Sequence, residues 1–202
     1  MTESSVETPL RIALAVLIAL AIPVGVYHRI RAARTGERFS RREEGWPIMI
    51  GLRLCMGVAW LMALTWLVDP RRVAWGVVPL PVVWRWAGIG LVALAVPLMI
   101  WMFVHLAHNV TDTVHVRRNN TLVTSGPYRW VRHPMYASAS LLLAGMALAM
   151  ANVVIGLVGA LGMSLIWRRT AIEEAKLIER HGDAYRVYML HTGRFWPRAR
   201  TS

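Results

Sequence analysis

Residues 136–167 read YASASLLLAGMALAMANVVIGLVGALGMSLIW, thirty-two residues without one charged side chain. As a single helix rising 1.5 Å per residue, this stretch would reach about 48 Å, against a hydrocarbon core of about 30 Å. Its flanks are both arginine-rich: Arg117, Arg118, Arg129 and Arg132 precede it, and Arg168, Arg169, Arg180, Arg186 and Arg194 follow. Cationic flanks stay on the cytoplasmic face of a membrane, so the stretch must cross an even number of times. Two short helices meeting near Ala151-Asn152 satisfy length and charge together. Each then has about fifteen apolar residues, and must extend past the apolar run, thin the bilayer or turn back early.

Upstream, three further apolar runs are expected as spans, at about 10–27, 46–68 and 87–104. The loop after the first carries Arg29, Arg31, Arg34, Arg38, Arg41 and Arg42, which makes it cytoplasmic and puts the N-terminus outside. The first run has no basic stretch before it and no small-residue cleavage site after it, so it reads as a retained span. The expected fold is therefore an all-α integral membrane protein with five transmembrane helices. The last two, about 136–150 and 153–167, form a short helix hairpin, and a cytosolic helical segment follows. The whole of 1–202 reads as one domain, placed in the inner or plasma membrane of a prokaryote.

Composition agrees: 56% of the 202 residues are apolar, and the mean hydropathy is +0.43. The net charge of +12 rests almost wholly on arginine, since Lys176 is the one lysine. These arginines sit beside apolar runs rather than on a separate basic face, so no nucleic-acid partner is expected. Cys55 is the sole cysteine, which excludes an intrachain disulfide. Arg53 lies about a turn and a half into the second run. There it either snorkels to the headgroups or meets an anion in a polar cavity.

Three polar stretches converge on the cytoplasmic side of the hairpin: 105–120, the loop GPYRWVRHPMY at 126–136, and the set Arg169, Glu173 and Glu174. Pro134 falls at the first turn of the next helix, where no N–H is required. Arg169 and Glu173 stand four apart on one helix face, while Glu174 is turned by about 100°. His105, His108 and His115 lack a cysteine or an H-E-x-x-H pattern, so no metal is expected. No G-x-S-x-G elbow, Walker loop or G-x-G-x-x-G fingerprint is present. A charged site beside an apolar hairpin suits a substrate that is half lipid and half polar.

The ordered set LVTSGPYRWVRHPMY, hairpin, R-x-x-x-E-E-x-x-L and HGDAYRVYMLHTGRFWP closely resembles the isoprenylcysteine carboxyl methyltransferases. The related phospholipid N-methyltransferases and thiol S-methyltransferases are similar. The resemblance covers about 105–198 and implies a membrane enzyme that uses S-adenosylmethionine without a Rossmann-type fold. By the same resemblance Leu122, Val123, Gly126, Tyr128, His133, Tyr136 and Glu174 would line the cofactor pocket. Arg169 and Glu173 would be the catalytic pair facing a lipid-associated or small apolar methyl acceptor. Relatives often have L-G-x-N-W where this chain has Leu106-Ala107-His108-Asn109-Val110, so that corner departs from the pattern.

Methyl transfer from a sulfonium is an in-line displacement that needs no metal. Orientation alone can contribute about 7–11 kcal/mol to such a step. An acceptor carboxylate would be gripped by the planar fork of Arg169. An amine or thiol acceptor would instead need Glu173 or His133 to take a proton. A non-catalytic carrier or sensor would need charges along a path through the spans, and only Arg53 lies inside one.

Overall fold

The structure, a computed structural model, describes residues 3–33, 46–106 and 122–198. All regular elements among them are helical: α1 Glu3–Ala33, α2 Trp46–Val68, α3 Val82–Leu106, α4 Pro134–Ala149, α5 Val153–His181 and α6 Asp183–His191. Two 3-10 turns, Pro70–Gly76 and Gly126–Arg129, lie between them. Helices α1, α2, α3 and α5 are each long and apolar enough to cross a membrane. At 16 residues α4 reaches about 24 Å and falls short of a full hydrocarbon core.

The expected turn at Ala151-Asn152 is where the hairpin folds back. Ala151 takes the left-handed conformation, at φ 49°. Asn152 caps α5, its side-chain oxygen accepting from the Val154 N–H at 3.0 Å and the Ile155 N–H at 3.4 Å. Its amide donates to the Val73 carbonyl at 3.2 Å, and the Ala151 carbonyl accepts from Val78 N–H at 2.8 Å. The hairpin tip is thereby bolted to the α2–α3 connection.

Two boundaries differ from the sequence expectation, those of α1 and α3, while the far end of α5 falls at Gly182, the first breaker after Trp167. Helix α1 runs well beyond 10–27, with Pro9 and Pro23 both inside it. Helix α3 begins at Val82, directly after Pro81, not near Ala87, and it runs on through Arg85 and the internal Pro97. Trp84 and Trp86 therefore ride on its first turns. Helix α5 continues through the polar residues after Trp167 and stops at Gly182, whose φ of 56° ends it. Arg169, Glu173 and Glu174 thus belong to the same rigid rod as the second arm of the hairpin.

Packing is closest between α3 and α4, where backbone meets backbone. A Cβ at Gly88 would lie 2.6 Å from the Gly145 carbonyl oxygen, and one at Gly145 would lie 2.7 Å from that of Gly88. Small residues permit this approach, which is how apolar helices gain van der Waals contact inside a membrane. Leu10, Leu14, Trp66, Val92, Met146 and Ile155 fill the main core at the hairpin-tip end. At that end Glu7 pairs with Arg85 at 2.8 Å, and Arg11 donates to the Leu67 and Val68 carbonyls that close α2. A smaller cluster of Tyr136, Ile166 and Phe195, with Leu52 and Met163 against it, lies at the opposite end. Arg53 is exposed on α2, the orientation a snorkelling side chain requires.

Candidate active site

At the end of the bundle opposite the hairpin tip, the chain entering α4 meets the chain leaving α6. Residues 131–133 pair in parallel with 193–194: Arg132 N–H donates to the Gly193 carbonyl at 2.8 Å, and His133 N–H to that of Arg194 at 3.0 Å. Gly193 N–H donates back to the Trp130 carbonyl at 3.1 Å. This clasp delivers three side chains to one carboxylate on α5.

That carboxylate is Glu174, which is 3% exposed. Arg132 Nε donates to its Oε1 at 2.9 Å, and His133 Nε2 lies 3.1 Å from the same oxygen. Arg194 Nη2 donates to Oε2 at 2.5 Å. Burial pushes the Glu174 carboxyl up, but the hydrogen bonds from His133, Arg194 and Arg132 outweigh it and hold its pKa at about 2. Arg132 is itself anchored, donating to the carbonyls of Met189 at 3.2 Å and Thr192 at the end of α6. Guanidinium hydrogen bonds to a desolvated carboxylate are among the stronger polar contacts a protein makes.

One turn back along α5, Arg169 is 7% exposed and donates through Nε to the Tyr136 hydroxyl at 2.9 Å. That hydroxyl donates in turn to Glu173 Oε2 at 3.2 Å. Tyr136 therefore links the two residues expected to act on the substrate. Its ring stacks on His133 with centroids 5.8 Å apart, which ties this trio to the Glu174 cluster. Glu173 is the open member, its side chain 28% exposed.

Gly126 starts the 3-10 turn at φ 59°, and a Cβ there would overlap the His105 ring at 2.4 Å. Only glycine meets both conditions. His105 serves packing in this arrangement: its Nδ1 lies 2.9 Å from the Trp101 carbonyl, and its ring stands edge-on to Trp101. Tyr128 is buried beside the turn, and its carbonyl accepts from the Tyr188 hydroxyl at 2.6 Å. Burial raises the phenols of Tyr128, Tyr185 and Tyr188, which keeps all three neutral. Leu122 and Val123 are half-buried in the segment leading to Gly126; neither joins the hydrogen-bonded cluster among the described residues. His108, His115 and the departures at Ala107 and Val110 lie outside the described residues.

The structure thus brings Tyr128, His133, Tyr136, Arg169, Glu173 and Glu174 to one end of the bundle. Sequence reasoning missed Arg194, and left Arg132 as a loop cation. The signal for both was present: Arg132 adjoins His133, and Arg194 follows a glycine whose absent side chain lets the tail bend back. A Cβ at Gly193 would fall 1.7 Å from the Trp196 carbonyl oxygen. Among the described residues, no three His, Cys, Asp or Glu side chains are grouped as a metal site.

Comparison with known proteins points to the same part of the chain. The cobalt-zinc-cadmium resistance protein CzcN of Cupriavidus metallidurans is 33% identical over 82 residues, 41% of this chain and 38% of that protein. The protein-S-isoprenylcysteine O-methyltransferases of Mus musculus and Homo sapiens are each 36% identical over 90 residues, 43% of this chain and 29% of theirs. This chain therefore matches roughly a third of the length of these curated relatives. The model of the phospholipid methyltransferase family matches residues 83–184, which run from the start of α3 through Arg169, Glu173 and Glu174 to the first residues of α6. That match takes in just over half the chain, and the chain belongs to the phospholipid methyltransferase family.

Proposed function

We propose that this protein is an S-adenosylmethionine-dependent methyltransferase of the membrane, whose acceptor is the carboxylate of an isoprenylcysteine-like lipid. The observation that carries the reading is the joining of two charged clusters, one on Glu174 and one on Arg169, through the stacked His133 and Tyr136 rings. One cluster is suited to a zwitterionic cofactor and the other to an anionic acceptor.

The donor set fits S-adenosylmethionine. Glu174 stays anionic and matches a cationic ligand, Arg194 matches a carboxylate, and Tyr128, Tyr185 and Tyr188 supply a neutral aromatic wall. Gly126, Tyr128, His133, Tyr136 and Glu174 would hold the cofactor, with Leu122 and Val123 as its apolar edge. When bound it supplies an activated methyl group on a sulfonium. The chain's own contribution is positional: Arg194, a quarter exposed, can swing off Glu174 to admit a ligand, while Arg132 and His133 keep the carboxylate aimed. Arg169 grips the acceptor carboxylate through a fork whose Nε is already fixed by Tyr136. Burial of Arg169 keeps bulk water away and strengthens that grip.

The membrane arrangement belongs to the same proposal. The whole of 1–202 forms one unit crossing five times, N-terminus outside and C-terminus cytoplasmic, in a prokaryotic plasma membrane. Residues 105–198 form its cofactor-binding part. Short α4 crosses by local thinning of the bilayer. The site then opens at the cytoplasmic surface, where a lipid anchor enters sideways and its polar end meets the cofactor.

A radiolabelled methyl-transfer assay with purified protein tests this on three acceptors: a farnesylcysteine carboxylate, phosphatidylethanolamine and a small alkyl thiol. Label in a base-labile ester of the first is expected. Label in the amine or thiol would keep the enzyme class but move the acceptor, and no label in any would reject the reading.

A further inference from the structure

A second cationic site lies on the other side of the clasp. Arg129, Trp130, His191, Pro197 and Arg198 line a cavity of about 170 Å³. Among the described residues, two guanidiniums and an imidazole line it and no carboxylate does. Both arginines are held in place: Arg129 lies over the Trp130 ring at 5.2 Å, and Arg198 Nη1 donates to the Leu190 carbonyl at 3.0 Å. Planar guanidiniums fixed in this way match the oxygens of a phosphate.

The rim of the cavity is apolar and unburied. Trp130, in its lining, is 44% exposed; Leu190 at 65% and Trp196 at 67% stand next in the chain to the lining residues His191 and Pro197, and Val187 at 53% lies one turn before His191 on α6. Trp130 stands edge-on to Trp101 at 5.4 Å, and Trp101 lies near the end of α3, one of the helices able to cross a membrane. In the proposed membrane arrangement the pocket lies at headgroup depth, with indoles and aliphatic side chains where the acyl boundary begins.

We propose that this pocket binds the phosphate of an anionic phospholipid, and that the bound lipid seats α6 and the C-terminal tail on the membrane surface. The seat is mechanically joined to the Glu174 cluster. Residues 129–130 and 197–198 carry the pocket, whereas 132–133 and 192–194 carry the cluster, and the 131–193 pairing lies between them. A lipid held on one face steadies the same clasp that places Arg132 and Arg194 on Glu174 from the other. This function is separate from methyl transfer, because the lipid need not react.

Native mass spectrometry of the full chain, with equal phosphatidylglycerol and phosphatidylcholine, reads this directly. Wild-type protein is expected to retain phosphatidylglycerol preferentially, and its unfolding midpoint should rise with that lipid alone. Arg129→Gln with Arg198→Gln should weaken retention about thirtyfold, at about 1 kcal/mol per arginine at a membrane surface. Arg71→Gln with Arg72→Gln, at the hairpin-tip end, should leave it unchanged. Equal retention of both lipids by wild type overturns the proposal, as does full retention by the Arg129/Arg198 variant. The same stabilisation from glycerol phosphate without acyl chains also overturns it. These readouts involve no methyl transfer, so they stand or fall apart from the proposed activity.

Discussion

Arg132 Nε lies 2.9 Å from Glu174 Oε1, although a whole helix hairpin separates the two residues in the chain. The contact exists because α4 and α5 are antiparallel arms, so the loop entering one meets the polar extension of the other.

Glu174→Gln keeps the shape of the side chain but removes the charge that Arg132, His133 and Arg194 surround. Truncating one partner of a buried ionic cluster typically costs about 3–5 kcal/mol, because the remaining charges lose their counterion. Thermal unfolding in detergent should show a clear loss, and cofactor binding should vanish. Arg169→Ala is expected to leave cofactor affinity within about threefold while turnover drops.

Acid should undo the same cluster. The folded pKa of Glu174 is about 2 against an ordinary 4.5, so the group is depressed by folding. Its stabilisation is then fully present above 4.5 and is lost as pH falls through 2. The difference corresponds to about 3 kcal/mol. Unfolding midpoints between pH 5 and 2 should fall more steeply for wild type than for Glu174→Gln. Parallel slopes would show that Glu174 does not carry this charge linkage.

Tyr136→Phe removes only the hydroxyl shared by Arg169 and Glu173. A hydrogen bond to a charged group contributes about 1.5–3 kcal/mol, so kcat should fall about tenfold to a hundredfold. Binding of S-adenosylhomocysteine should change little, because the ring that stacks on His133 remains. An equal loss in both measurements would place the hydroxyl in the cofactor pocket instead.

The hairpin tip offers a stability test far from the site. Asn152→Ala forfeits the α5 cap and leaves the Val73 carbonyl without its donor, a loss of about 1–3 kcal/mol. Ala151→Gly should act in the opposite sense. At φ 49° an alanine bears a strain that glycine does not, and relief of about 1 kcal/mol is expected. Chemical denaturation in mixed micelles measures both.

Much of this arrangement was legible in the sequence. Length and flanking charge alone required the 136–167 stretch to fold back, and the turn lies at Ala151-Asn152 as expected. The run of good helix formers after Trp167 foretold that α5 reaches Gly182, which in turn put Arg169, Glu173 and Glu174 on one rod. What stayed hidden was pairwise. Nothing in the periodicity of TGRFWP says that it bends back against VRHP, since parallel pairing over so few residues leaves no alternation to read. Tyr136 was expected at the cofactor pocket, but the bridge its hydroxyl makes between Arg169 and Glu173 stayed hidden, because it depends on how α4 and α5 are placed side by side. The early start of α3 was hidden by Arg85, a charge that interrupts the apolar pattern ahead of residue 87 although the helix reaches back to Val82.

A cofactor site built on Glu174 should be visible by isothermal titration with S-adenosylhomocysteine. Purified wild-type protein in lipid nanodiscs should bind with measurable heat at one site. His133→Ala and Glu174→Gln should abolish that heat, and Arg169→Ala should retain it. Absence of binding by wild type at millimolar ligand, or unchanged binding by both His133→Ala and Glu174→Gln, would mean that the Glu174 cluster does not hold the cofactor.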